Sequence, residues 1–346
     1  MRVGLIISVL VVMGLAYLTI YAWHRTAETT REMAQDLVMN AGSVGSETSR
    51  ATETFDVSGK KRLTIVNDYG SVEIMAGGPK LTIERVVYAG QDNQARARAA
   101  QFKVETAPEG ADGFRVRVTG EPGRRRASVR LIVQGPPEME LIVQVKSGNG
   151  EVSGWRSNVG VTTGSGDLTL KSIAASATAK TESGNITAEN VQGGVVAETG
   201  SGNIDLSTVR GHAYGKTGSG DVTMTDVTAS DITGEAGSGS VSFDGVAGDV
   251  ISAATDSGNV EVAVKQPFSG RMQIRAGSGN VELTLPATSD CRVEAKAAAG
   301  EISNSLTMRV SAMSNNHLQG TLGNGRGLVQ ISSGSGNIVL EEAGRG

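Results

Sequence analysis

From residue 55 onward the chain alternates apolar and polar residues in short runs separated by glycine-rich turns. In residues 199–206, Thr-Gly-Ser-Gly-Asn-Ile-Asp-Leu, Ile204 and Leu206 fall on one side and Asn203 and Asp205 on the other. That is the period of two of a strand with one buried face. The run recurs with marker glycines Gly166, Gly184, Gly202, Gly220, Gly239, Gly258, Gly279 and Gly336, and more loosely at Gly150 and Gly300. Two residues beyond them stand Val152, Leu168, Ile186, Ile204, Val222, Val241, Val260, Val281, Ile302 and Ile338, each β-branched or Leu. A second alternating segment, such as Val195-Val-Ala-Glu-Thr, fills each repeat.

The ten glycines are separated by 16, 18, 18, 18, 19, 19, 21, 21 and 36 residues. A period near 20 sustained this long is the signature of stacked repeats. With two strands and two corners per repeat, the predicted fold is all-β: a single-stranded β-solenoid, or β-helix, of 18–21-residue turns. Each Gly-Ser-Gly supplies a tight corner, so the marker glycines are read as structural turn positions. The 36-residue gap is twice 18. It predicts a degenerate turn around residues 315–323, with residues 333–340 closing the far end.

Before residue 147 the pattern is less regular. Residues 3–23 carry no charge and gather Tyr17, Tyr21 and Trp23 at their far end. They are long enough to cross about 30 Å of hydrocarbon, which predicts a transmembrane helix over residues 1–25. No clear cleavage site follows, so the anchor is expected to be retained. Residues 26–54 read as a short helix and a flexible linker, because 41–54 are Ser, Gly, Thr and Glu with little to bury. Residues 55–146 read as an irregular β N-terminal part of the solenoid, with one helix at 91–101. Residues 147–346 read as the regular solenoid with its C-terminal closing turn.

Composition fits thin stacked sheets better than a globular enzyme: 2 Trp, 5 Tyr and 5 Phe stand against 47 Gly. The net charge of −4 offers no general attraction to nucleic acid, and none is expected as a partner. The single cysteine, Cys291, has no internal bridge partner and reads as a buried apolar residue.

Candidate chemistry is sparse. Gly-Ser-Gly-Asp/Asn-Val resembles half of a calcium-binding nonapeptide, but calcium needs six or more oxygens. The column Glu151, Asp167, Asn185, Asn203, Asp221, Ser240, Asn259, Asn280, Glu301, Asn337 is mostly uncharged. A ladder of amides stabilising the corners is the better reading, and no metal site is assigned. Gly215-Lys216-Thr217 lacks the opening glycine of a phosphate loop, since Arg210 stands there. His24, His212 and His317 are isolated in sequence. Asp205, Asp226, Asp244, Glu261 and Glu282 are spread along outward positions, which disfavours catalysis; no catalytic residue and no cofactor are assigned. Arg124, Arg125 and Arg126, helped by Arg115, Arg117 and Arg130, form a basic loop that could meet an anionic surface, the plainer reading being arginines paired with acids.

The order of apolar anchor, Pro136-Pro-Glu-Met-Glu-Leu-Ile-Val, serial Ser-Gly-Asn/Asp-Ile/Val turns and the ending Leu318-Gln-Gly-Thr-Leu-Gly-Asn-Gly before Ser-Gly-Ser-Gly-Asn-Ile resembles the bacterial putative-adhesin family of β-strand repeats, domain of unknown function 4097. The resemblance covers about residues 55–342 and implies a bacterial envelope protein; the family defines no catalytic residues to carry over. The expected function is a non-catalytic, membrane-anchored envelope scaffold of adhesin-like character. It would be single-pass in the bacterial cytoplasmic membrane through residues 3–23, its solenoid outside and its partner an unidentified envelope polymer or protein. Two alternatives stay open: an accessory protein of envelope-stress or transmembrane signalling, and a polysaccharide-acting β-helix enzyme.

Overall fold

The computed structural model describes residues 46–90, 97, 99–120 and 127–344. The expected membrane helix, the short helix after it, most of the expected helix at 91–101 and the basic loop Arg124–Arg126 lie outside the described residues. Among the described residues no helix is long and apolar enough to cross a membrane. The described chain is all-β, 28 strands from Ser46–Asp56 to Ile338–Glu342.

Each strand of the repeat pairs in parallel with the strand two places further on. Val159–Ser165 lies between Glu140–Ser147 and Ser176–Ser183 in one sheet, here the back sheet. Leu168–Ile173 lies between Gly150–Ser153 and Ile186–Val191 in the other, the front sheet. One back strand and one front strand make a layer. The strand Ile204–Ser219 runs round a corner and serves both sheets, pairing through Ile204 in front and through Ala213 behind. In-register pairing stacks Leu168, Ile186, Ile204, Val222, Val241, Val260 and Val281 into one buried column. Leu170, Ala188, Leu206, Met224, Phe243, Val262 and Leu283 form a second. The apolar columns of the two sheets face each other, and burying them is the main drive for stacking.

The register corrects one marker. Leu168 pairs with Gly150, so the glycine equivalent to Gly166 in the layer below is Gly148. Gly150 occupies an inward core position where a larger residue would collide with Leu168 and Val161.

Both ends depart from sequence order. Arg271–Ser278 and Val281–Leu285 pair with Gly327–Ser335 and Ile338–Glu342, the last layer in sequence. That layer in turn pairs with Cys291–Ala299 and Ile302–Asn304. Residues 333–340 therefore do not close the stack but are inserted one layer inside it. The expected degenerate turn is instead an antiparallel hairpin, Arg309–Ser314 with His317–Thr321, the latter laid antiparallel on Cys291–Ala299. At the other end Arg62–Asn67 and Val72–Ala76 sit directly on Glu140–Ser147 and Gly150–Ser153. Gly113–Thr119 and Ala127–Gly135 form the layer beyond. Antiparallel strands Lys80–Ala89, Ser46–Asp56 and Lys103–Glu109 finish that end.

Residues 46–54 are therefore strand and not linker. Their polar composition misleads because Ser46–Asp56 is an outermost strand, largely exposed, that needs backbone partners more than apolar side chains. Arg50 adds ion pairs to Glu47, at 3.0 Å, and to Glu84.

Candidate functional site

The repeated corner is built from three columns. Gly166, Gly184, Gly202, Gly220, Gly239, Gly258, Gly279 and Gly336 stack with φ between 132° and 156°. At Gly202, φ is 142° and a Cβ would overlap the carbonyl oxygen of Gly184 in the layer below. No other residue fits that corner at this layer spacing.

The second column is the amide ladder. The Asn185 amide donates to Asp167 Oδ1 at 2.8 Å, Asn203 to Asn185 Oδ1 at 2.9 Å, and Asp221 to Asn203 Oδ1 at 3.0 Å. Ser240 donates to Asp221, Asn259 to Ser240 and Asn280 to Asn259, at 2.7, 3.3 and 2.9 Å. The ladder then follows the spatial order and not the sequence: Asn337 donates to Asn280 and Glu301 to Asn337, at 2.9 and 3.0 Å. Its lower end runs through Asp167 to Asn149 and Asn149 to Ser71. Each side-chain oxygen accepts from the next layer, not from its own backbone.

The third column was not read from the sequence. Thr163, Thr181, Thr199, Thr217, Thr255 and Ser333 are buried, and their hydroxyls donate to the carbonyls of Gly148, Gly166, Gly184, Gly202, Gly239 and Gly279. The signal was present, since a Thr or Ser stands two residues before each of these Ser-Gly pairs. The opposite corner holds a second unread regularity. Ser172, Asn190, Thr208 and Asp226 have φ of 54–56°, in line with Gly154 and Gly245 at 70° and 64°.

The outward faces differ in charge. On the back sheet Lys180 pairs with Glu198 and Lys216 with Glu235, both at 2.9 Å, as one alternating stripe. On the front sheet Glu261 lies directly beside Glu282. Burial, then Glu261 and Glu341, hold the Glu282 carboxyl above its ordinary range. Asp205 is raised by burial and by Asp221. These acids occupy a sheet face, and among the described residues no group of three His, Cys, Asp or Glu could hold a metal ion. Cys291 is buried, and burial, with Asp290 beside it, pushes its thiol up to about 11.

The described arginines of the basic segment meet acids. Arg130 pairs with Glu73 at 2.6 Å, Arg117 with Asp68 at 3.5 Å, and Arg115 with Glu109. A cleft of about 1050 Å³ at this end is lined by Lys60, Lys61, Arg62, Glu109, Asp112 and Glu140. Its charges are also paired, Arg62 with Glu140 at 2.7 Å and Lys61 with Asp112 at 3.9 Å. His212 lies 3.9 Å from Asp231, and His317 lies on the hairpin at the far end, so the structure brings no two histidines together among the described residues.

Residues 178–341 match the family model described as Toastrack DUF4097, a narrower span than the 55–342 of the sequence resemblance. No curated protein sequence matches the chain. Among solved structures, a putative lipid binding protein from Parabacteroides distasonis ATCC 8503 is 12% identical, with 84% of this chain and 96% of that one covered and a TM-score of 0.37. A putative adhesin from Bacteroides fragilis NCTC 9343 is 13% identical, covering 84% and 97%, at 0.32. A putative cell adhesion protein from Clostridium sporogenes ATCC 15579 is 10% identical, covering 86% and 100%, at 0.21.

Proposed function

We propose that this chain, a Toastrack DUF4097 family member across residues 178–341, is a non-catalytic β-solenoid that works by surface contact, as an adhesin-like scaffold of the bacterial envelope. The observation that carries the reading is where its polar side chains go. The Asn/Asp column and the Thr column, the repeat's richest supply of oxygen ligands, are bonded to the backbone of neighbouring layers. Of the outward acids, Asp205, Asp244, Glu261 and Glu282 lie on a sheet face and Asp226 at a corner, an arrangement suited to contact and poor for the paired carboxylates of sugar hydrolysis.

Attachment completes the proposal: residues 3–23 span the cytoplasmic membrane once, and the solenoid stands on the periplasmic or extracellular side. Arg124–Arg126 are offered as its contact with anionic polymers. The test uses the full-length chain in a bacterial host, with and without residues 1–25. Membrane fractionation and cleavage by external protease in spheroplasts should both depend on residues 1–25, and the purified chain should be retained on an envelope polymer or envelope protein. A chain that stays in the cytosolic fraction either way overturns the placement. Release of reducing ends from a polysaccharide panel overturns the non-catalytic reading.

A further inference from the structure

Each sheet has two outermost strands among the described residues, and three of the four are blunted. Ser46–Asp56 carries Glu47, Arg50, Glu53 and Asp56. Lys103–Glu109 carries Lys103, Glu105, Pro108 and Glu109. Ile302–Asn304 is three residues long. Charges, proline and short length are the devices by which sheets avoid joining other chains. The fourth, Arg309–Ser314, is the least protected: it has no proline, its one charge, Arg309, stands at its end and is drawn back to the Gly323 carbonyl at 2.8 Å, and its one remaining device is a bulge.

The same strand exposes apolar side chains. It pairs only with His317–Thr321 among the described strands, with Val310 opposite Gly320, Ala312 opposite Gln319 and Met313 opposite Leu318. Ser311 is thus a bulge, and the bulge puts Val310 and Met313 on one side, the inward side of buried Leu318 and Gly320. The front sheet ends at Ile302–Asn304, and Met308 lies over Gly320 of the hairpin. Val310 is left 47% exposed and Met313 61% exposed.

We propose that Arg309–Ser314 is a self-association strand, and that a second copy of this chain pairs with it antiparallel across a two-fold axis. The strand is complementary to itself in that arrangement. Val310 faces Met313 of the second copy and the reverse, while Arg309 faces Ser314, so no like charges meet. The direction also fits, because Cys291–Ala299, His317–Thr321 and Arg309–Ser314 already alternate antiparallel at this end. The two back sheets become one continuous sheet, and the least protected edge among the described residues is removed.

The test is sedimentation of the full-length chain in mild detergent over a range of concentrations, beside the variant Val310→Lys/Met313→Lys. The expected result is a concentration-dependent dimer whose dissociation constant rises at least about tenfold in the variant. The melting temperature measured at concentrations where both chains are monomeric should be unchanged, because both positions are exposed in the single chain. Register is read by oxidation: a mixture of Val310→Cys and Met313→Cys chains should cross-link into a heterodimer faster than either chain alone, with buried Cys291 as the internal control. A monomer at all concentrations, a dimer indifferent to the lysines, or equal cross-linking of Val310→Cys alone overturns the proposal. So does a lysine-sensitive edge that captures only foreign strands.

Discussion

Gly202→Ala isolates the corner on which the layers rest. The backbone at residue 202 has φ of 142°, where an alanine costs about 1–3 kcal/mol. The new Cβ would also press on the Gly184 carbonyl oxygen, forcing the two layers apart locally. Two interlayer bonds span that point, Gly184 N–H to Ser201 O and Asn203 N–H to Asn185 Oδ1, both at 2.9 Å. Stretching them costs about 1 kcal/mol each. Alanine's smaller freedom in the unfolded chain returns about 0.5–1 kcal/mol. The net loss is about 3 kcal/mol, a fall on the order of 5 °C for a chain of this size. The assay is thermal unfolding by circular dichroism with hydrogen exchange read layer by layer. Protection should fall first in the layers around residues 184–220. Gly78→Ala is the control, because its Cβ would meet nothing within 4 Å and its φ is not in the positive range, so its melting should shift by less than about 1 °C. Gly202→Ala melting with that control would refute the claim that the glycine column sets layer spacing.

Asn203→Ala removes the acceptor of the Asp221 amide and should cost about 1 kcal/mol in chemical denaturation, with Asn203→Asp losing less because Asp167 and Asp221 already serve in that column. Thr208 holds φ of 54°, strained for a β-branched residue, so Thr208→Asn should stabilise by about 0.5–1 kcal/mol, following Asn190 at 56° in the same column. Two acids should respond to pH with opposite sign. Amide hydrogen bonds, that of Arg326 the largest, hold the Asp290 carboxyl below its usual range, so its stabilisation is present above the unfolded-chain value and lost as pH falls through the folded one. The destabilisation caused by Asp290→Asn should therefore be measurable at neutral pH and disappear in acid. The Glu282 carboxyl is raised, so its relative stability is full below the unfolded-chain value and lost as pH rises through the folded one. Glu282→Gln should raise the neutral-pH melting temperature and change nothing in acid.

The sequence by itself determined the unit: two short strands, two corners, a period near 18 and a named inward column, because in-register stacking repeats every side chain's environment. It also held more than the apolar pattern conveys. The threonines at 163, 181, 199 and 217 and the residues at 172, 190, 208 and 226 each recur every 18 residues, as the glycines beside them do, but their roles are hydrogen bonding and backbone angle, which hydropathy does not record. Only the tertiary structure decided the ends. Residues 327–342 carry the same motif as any inner repeat, and nothing local distinguishes stacking on Arg271–Leu285 from stacking on Cys291–Asn304. That choice depends on which layer the hairpin Arg309–Thr321 can cover, a contact between segments that sequence periodicity cannot see. For the same reason Gly150 looked like a corner until its pairing with Leu168 placed it in the core. The polar strand Ser46–Asp56 likewise looked like a linker until Lys80–Ala89 gave its backbone a partner.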